Sequence, residues 1–245
     1  IGLGPGDEVI TTPLSWIITV NAIAACGATP VCVDVGEDLN IDPDAIEAAL
    51  TPKTKAIVPM HYCGYVCKMD EILAIAEKRR LHVVEDAAQA YGATYGGKKA
   101  GTFGRAGIFS MNTMKVLASY GEAGVAVTND DGLAREIRMR RYAGTTSDPK
   151  KIVTNECYFA ELNHKIDTLQ AAMLLVAMDR LPAKMKRRAE IARRYSKLLD
   201  GIVKTPTLPQ GEVHALYAYT IQAEDRDELA AWLKENEVDS KIYHI

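Results

Sequence analysis

At 245 residues the chain is long enough to bury a substantial core, as one large domain or one and a half. Hydrophobic residues make up 48% and charged residues 25%, with a formal net charge of −3; that is globular composition, with no electrostatic case for nucleic acid or an anionic membrane. No apolar run approaches the roughly 20 residues that span a bilayer. The five cysteines are odd in number and scattered, which points to reduced thiols in the cytoplasm rather than a disulfide framework.

Gly4-Pro5-Gly6-Asp7 is turn chemistry leading into a strand over Glu8–Thr12. Ser15 is placed to cap a helix over Trp16–Cys26, apolar on most faces and so expected to be buried. Gly27 ends it, and Pro30–Val35 reads as the next strand. Asp42-Pro43, an N-cap followed by proline at the first helical position, opens a helix over Asp44–Leu50. Lys55–Met60 is a buried strand, Met69–Arg80 an amphipathic helix, and His82–Glu85 the following strand. This alternation predicts a parallel sheet covered by helices on both faces, with Asp34, His61 and Asp86 at the carboxyl ends where such sheets bind ligands.

After Asp86 the pattern changes. Gly92–Gly107 reads as a loop carrying a short hairpin, followed by strands over Gly107–Ser110 and Gly124–Thr128 and a helix over Asp131–Arg141. Thr145–Glu161 has no strong period and is expected to be a long excursion. Ile166–Leu181 is a helix ended by Pro182, and Met185–Leu199 a second, heavily basic one. Ala218–Gln222, Asp225–Asn236 and Val238–Ile242 read as strand, helix and strand. The chain starts without an initiator Met or signal peptide and stops in what reads as a strand, so both ends are expected to be cut from a longer protein.

Two stretches carry chemistry. Val83-Val84-Glu85-Asp86 delivers an acid at a strand end, and Ile108-Phe109-Ser110-Met111-Asn112-Thr113-Met114-Lys115 delivers a lysine among apolar neighbours. A lysine behind a strand is ordinarily solvated, but apolar surroundings lower its pKa and make it nucleophilic. A lysine that forms a Schiff base, with an aspartate that keeps a pyridine nitrogen protonated, is what pyridoxal phosphate (PLP) chemistry requires. Gln89, three residues beyond Asp86, is placed to reach the same ligand. Cys63-x-x-x-Cys67 has no second Cys/His pair, so no metal site is read there. The run from Lys184 to Arg194 lacks interleaved aromatics and reads as a solvated helix face rather than a nucleic-acid surface.

Taken together, Gly4-Pro5-Gly6-Asp7-Glu8-Val9-Ile10, Gly27-Ala28-Thr29-Pro30-Val31, Glu85-Asp86-Ala87-Ala88-Gln89-Ala90-Tyr91-Gly92-Ala93, Phe109-Ser110 with Lys115, and Asn163-His164-Lys165-Ile166-Asp167-Thr168-Leu169-Gln170-Ala171-Ala172 resemble the DegT/StrS-type sugar aminotransferases. The match covers almost the whole chain in the correct order. The resemblance implies an α/β fold of PLP fold type I: a three-layer αβα sandwich with a mostly seven-stranded central sheet, plus a smaller C-terminal α/β domain. Residues 1–165 would be the large PLP-binding domain lacking its N-terminal part, 166–200 the interdomain helices, and 201–245 the start of the small domain.

Residue by residue, the resemblance makes Lys115 the Schiff-base lysine and the acid/base that moves the substrate proton. Asp86 would pair with the pyridine nitrogen, Gln89 bond near the phenolic oxygen, Ser110 hold the phosphate, and Trp16 stack on the ring face. A core tryptophan is the alternative for Trp16. Asn163 would reach the phosphate of a neighbouring subunit's cofactor, making a homodimer with shared active sites, and His164 and Lys165 would face an anionic part of the substrate. Two departures stand out. Common members carry an aromatic and Pro-Thr where this chain has Met111-Asn112-Thr113-Met114, and the family's N-terminal Gly-Thr phosphate-binding turn lies upstream of Ile1. His61 matches a family histidine without an assigned role. Relatives that replace the lysine with histidine are sugar dehydratases; the retained Lys115 favours transamination.

The expected function is therefore cytoplasmic amination of a keto or aldehyde sugar, nucleotide-linked, with L-glutamate as donor, in cell-surface polysaccharide, lipopolysaccharide or secondary-metabolite synthesis. The alternatives are a transaminase of a nucleotide-free sugar acid of octulosonate type or of an aminocyclitol precursor, and a regulator that keeps the fold without catalysis.

Overall fold

The structure, a computed structural model, describes residues 1–146, 156–207 and 211–243. Along the chain the elements are β1 (Glu8–Thr11), α1 (Ile18–Ala25), β2 (Thr29–Cys32), α2 (Pro43–Ala48), β3 (Thr54–Ile57), α3 (Met69–Arg79) and β4 (His82–Asp86). There follow β5 (Thr94–Tyr95), β6 (Lys98–Lys99), β7 (Ala106–Ser110), β8 (Gly124–Val127), α4 (Asp131–Arg141), α5 (Thr168–Leu199) and α6 (Arg226–Glu235). The main sheet has the order β2-β1-β3-β4-β7-β8, and β5 and β6 form a separate hairpin. Every neighbouring pair in the main sheet is parallel except β7 with β8. Among the described residues the sheet has six strands rather than seven.

This order places two helix layers. From β1 the chain crosses one way to β2 and then returns past β1 to β3 and β4. Right-handed crossovers in opposite directions put α1 on one face and α2 and α3 on the other. Side-chain alternation agrees: Val9 and Ala56 pack with Ile23 of α1, whereas Ile10 and Ile57 pack with Ile46 of α2 and Ile72 of α3. Lys78 of α3 reaches Glu47 of α2 across that second layer at 2.8 Å. The strand order reverses between β1 and β3, and sheets of this kind usually bind ligands beyond the carboxyl ends of the strands at such a switch point.

Local signals set most element ends. The Asp42 carboxylate accepts from the Asp44 amide at 3.1 Å with Pro43 at the first helical position. Asp42→Ala should therefore cost about 1 kcal/mol, read as a lower chemical-denaturation midpoint with an unchanged slope. Asp130 caps α4 through the Leu133 amide at 2.9 Å, and α3 carries acids in its first turn and bases in its last.

Four expectations change. The first helix is shorter, Ile17 rather than Ser15 occupies its N-cap, and the Ser15 hydroxyl bonds Thr19 instead. That helix is not buried on most faces: Thr19 and Ile23 face inward, while Trp16 is 69% exposed and Ile17 and Ile18 are also open. No described element covers its outer side, so the apolar sequence overstates its burial in the single chain. Second, Pro182 does not end a helix; α5 is continuous over 32 residues. The lost hydrogen bond and ring clash cost roughly 3 kcal/mol, which the burial of Leu174, Leu181 and Ala192 on the two sides offsets. Third, Ala218–Gln222 and Val238–Ile242 form no strands among the described residues, because they find no ladder partner beyond the single bridge of Gln222 with Lys204. Fourth, Lys184 and Arg188 are not simply solvated: they donate to the Val116 carbonyl at 2.7 Å and the Leu216 carbonyl at 2.6 Å. The central part of the excursion over Thr145–Glu161, residues 147–155, lies outside the described residues.

Candidate active site

Successive residues of a strand face opposite sides, and β4 uses this to separate its two terminal acids. Glu85 faces the α3 side, where its zero-exposure carboxylate accepts from the backbone amides of Gly101 (2.6 Å), Phe103 (2.6 Å) and Gly104 (2.7 Å) and pairs with His61 Nε2 at 3.1 Å. The Cys67 amide donates to His61 Nδ1 at 3.2 Å, so the imidazole hydrogen sits on Nε2 and points at Glu85. His61 thereby gains a structural role.

Asp86 faces the α1 side. Its Oδ2 accepts from the Thr19 hydroxyl at 2.6 Å and its Oδ1 from the Ala88 amide at 3.1 Å. Its main chain is tied to β3 and its extension, donating to the Pro59 carbonyl and accepting from the His61 amide. Asp86 is 6% exposed, and among the described residues no cation pairs with it. A buried carboxylate without a cationic partner is costly and calls for one.

Lys115 stands above the end of β7, the strand beside β4. Its ammonium lies 4.7 Å from the centroid of the Tyr217 ring. The Tyr217 amide donates to the Cys63 carbonyl at 2.9 Å, and the Cys63 amide donates to Gln89 Oε1 at 2.7 Å. Gln89 Nε2 in turn donates to the Tyr243 hydroxyl at 3.3 Å. Contacts thus link Lys115, Tyr217, Cys63 and Gln89, and Gln89 follows Asp86 by three residues beyond the end of β4. Burial pushes the Cys63 thiol up, against the pull of Thr220, Tyr62 and the nearby Lys115 charge, so it is a neutral packing group there. Ser110 ends β7, and its hydroxyl accepts from the Asn112 amide at 3.4 Å.

The other expected site residues lie apart. Trp16 projects into solvent beside α1 and is not a core tryptophan. Asn163, His164 and Lys165 are exposed beyond α4, where Asn163 bridges to Tyr142. His164 pairs with Glu161 at 3.4 Å and Lys165 lies over the Tyr142 ring at 4.3 Å. No hydrogen bond or ion pair links these three to Asp86, Gln89, Ser110 or Lys115 among the described residues. Thr19, Tyr217 and Tyr243 were missed by sequence reasoning. Each lies dozens of residues from its partner in the chain, and nothing local marks it.

The donor set suits PLP: a buried carboxylate with no cationic partner among the described residues for a protonated ring nitrogen, an amine for an aldehyde carbon, and a hydroxyl at a strand end for a phosphate. A mostly parallel α/β sheet of this kind matches the structures of PLP-dependent sugar aminotransferases. The chain belongs to the DegT/DnrJ/EryC1/StrS aminotransferase family, whose model matches residues 1–245. It is 42% identical over 251 aligned residues to a pleiotropic regulatory protein of Geobacillus stearothermophilus, spanning 99% of this chain and 65% of the relative. It is 38% identical over 248 residues to the dTDP-3-amino-3,4,6-trideoxy-alpha-D-glucose transaminase of Micromonospora megalomicea subsp. nigra, spanning 96% of this chain and 63% of that protein. A DegT/DnrJ/EryC1/StrS aminotransferase from Brucella abortus superposes with a TM-score of 0.93 at 35% identity, over 100% of this chain and 66% of that one. The chain thus spans just under two thirds of the length of these relatives. Aminotransferases of the family use PLP, and structures related to this chain include PLP and PMP forms.

Proposed function

We propose that the protein is a PLP-dependent aminotransferase that converts a keto or aldehyde group on a nucleotide-linked sugar to an amine, with L-glutamate as donor. The observation that carries this reading is the buried, cation-free Asp86 at the same sheet end as Lys115, in a chain of this family. PLP supplies an electrophilic aldehyde carbon and an electron-withdrawing ring. Asp86, held by Thr19 and Ala88, would hold the ring nitrogen and Ser110 the phosphate, while Lys115 would supply the amine that condenses with the aldehyde, with loss of water, and the base that moves the substrate proton. Gln89 would bond near the phenolic oxygen, and the exposed Trp16 would cover a ring face.

A homodimer fits the same picture. Met114 and Tyr120, on either side of the Lys115 turn, are 67% and 74% exposed, and with Trp16, Ile17 and Ile18 they leave apolar surface suited to a second copy. Asn163 of that copy would reach the phosphate, and His164 and Lys165 would meet an anionic substrate group. Residues 1–165 would form the PLP domain, α5 the connection within 166–200, and 201–245 the start of a smaller domain. The free thiols of all five cysteines fit a reducing cytoplasm, and among the described residues no helix is long and apolar enough to cross a membrane. Cell-surface polysaccharide, lipopolysaccharide or secondary-metabolite synthesis is the setting in which the product would be used.

Added PLP should give the purified protein a visible absorption band that glutamate bleaches, and a mass-spectrometric screen of keto sugars should then reveal an amine product. Absence of the band sinks the reading. Asp86→Asn should keep the fold, since its oxygen can serve the Ala88 amide while its nitrogen donates to the Thr19 hydroxyl, yet slow the glutamate half-reaction about a hundredfold in rapid-mixing absorbance. The regulatory name of the 42% identical relative favours one second reading, a PLP-fold regulator without turnover. A band that glutamate leaves unchanged would select it.

A further inference from the structure

The stretch between Ser110 and Lys115, Met111-Asn112-Thr113-Met114, contains no proline to fix its turn, so side-chain and backbone bonds must shape it. In the structure Asn112 does so through four hydrogen bonds. Its amide donates to the Ser110 hydroxyl at 3.4 Å, and its carbonyl accepts from the Lys115 amide at 2.9 Å. Its side-chain Oδ1 accepts from the Met114 amide at 2.9 Å, and its Nδ2 donates to the Glu122 carboxylate. The last two fix the orientation of the amide, because a backbone N–H needs the oxygen and a carboxylate needs the nitrogen.

The frame around this turn is closed. The Met111 amide donates to the Ala123 carbonyl and the Ser119 amide to the Met111 carbonyl, both at 2.8 Å. The Ser119 hydroxyl donates to the Gly121 carbonyl at 2.6 Å, while Val116 and Leu117 are buried and Lys184 holds the Val116 carbonyl. Within that frame, the Asn112–Glu122 contact ties the residue that bonds both Ser110 and Lys115 to the opposite limb of the loop.

We propose that Asn112 and Glu122 are a positioning pair, a side-chain tie that holds this turn and aims Lys115 and Ser110 at one ligand. This rests on the reading of Lys115 as the PLP-bonding lysine. The tie is solvent-exposed and contributes little to global stability, so its effect is local to the turn.

The test exploits the chemistry of the pair. Asn112→Asp keeps an oxygen for the Met114 amide but sets a carboxylate against Glu122. Combining it with Glu122→Gln reverses the pair, the amide at 122 now donating to the carboxylate at 112. In the full chain, PLP is added, the lysine adduct is trapped with borohydride, and modification at Lys115 is followed by peptide mass spectrometry alongside thermal melting. We expect Asn112→Asp to slow capture at Lys115 about tenfold, and the reversed pair to recover to within about twofold of the natural chain, with melting unchanged. Capture by Asn112→Asp at the natural rate, or no recovery in the reversed pair, overturns the proposal. So does a melting loss that tracks capture from variant to variant, since the pair would then only hold the fold. If the natural chain itself is not captured at Lys115, the functional reading fails and the positioning role with it.

Discussion

Lys115→Ala should remove the visible PLP band and slow amine transfer by about a thousandfold or more, while the protein stays folded. The two halves of this expectation come from different contacts. In the proposed reaction Lys115 would supply both the nucleophile and the proton carrier, and loss of general acid–base catalysis alone costs about 10²–10⁴-fold. Its contribution to stability is small: the ammonium meets the Tyr217 ring at 4.7 Å, a contact worth about 1 kcal/mol at a partly exposed site. The backbone of the turn is held by other groups, namely Asn112, Ser119 and Lys184. Absorbance and a glutamate half-reaction, read beside a melting curve, separate the two effects. A variant within tenfold of natural activity would show that another residue bonds the cofactor. A variant that unfolds would show that the turn depends on this side chain for more than a cation–π contact.

The sequence revealed most where a local rule decides. Asp42-Pro43, the amphipathic Met69–Arg79 and the alternation of short apolar runs with helices each carry their own signal, and the parallel sheet followed from them. The positions of Asp86 and Ser110 were legible because strand ends punctuate apolar runs with polar residues. What could not be read is held by distant contacts. Thr19 is one polar residue in an apolar helix until the fold brings it to Asp86, and Tyr217 lies about a hundred residues from the lysine it covers. Pro182 misled because tertiary burial outweighed a local breaker, whereas the basic run is exposed at Lys186, Arg187, Arg193 and Arg194 as read, with Lys184 and Arg188 also donating to backbone carbonyls. The Glu85-Asp86 pair is instructive in both directions. Two adjacent acids signalled a polar-tipped site, but only strand alternation shows that they serve opposite faces.

That division makes Glu85 the residue whose loss should damage the fold most. Glu85→Ala leaves the Gly101, Phe103 and Gly104 amides and the His61 N–H without their acceptor. Each buried donor left unpaired costs roughly 1–3 kcal/mol. Gly101 and His61 are fully inside, whereas the Phe103 and Gly104 contacts are partly buried and water can recover some of their loss. The net destabilisation expected is therefore about 3–5 kcal/mol, a large share of the 5–15 kcal/mol that holds a typical domain together. Glu85→Gln tests the charge apart from the volume. Its amide nitrogen must face either the Phe103 and Gly104 donors or the Gly101 and His61 donors, and His61 cannot readily switch tautomer because Nδ1 already accepts from Cys67. We expect the glutamine variant to lose about 2–3 kcal/mol in chemical denaturation, less than alanine because one oxygen survives. A glutamine variant as stable as the natural protein would show that the four donors do not require a carboxylate. The functional consequence follows from one peptide bond: Asp86 is the next residue, and its main chain bonds Pro59 and His61 on the extension of β3. Loosening Glu85 releases His61, and with it the register that presents Asp86 on the other face of the sheet.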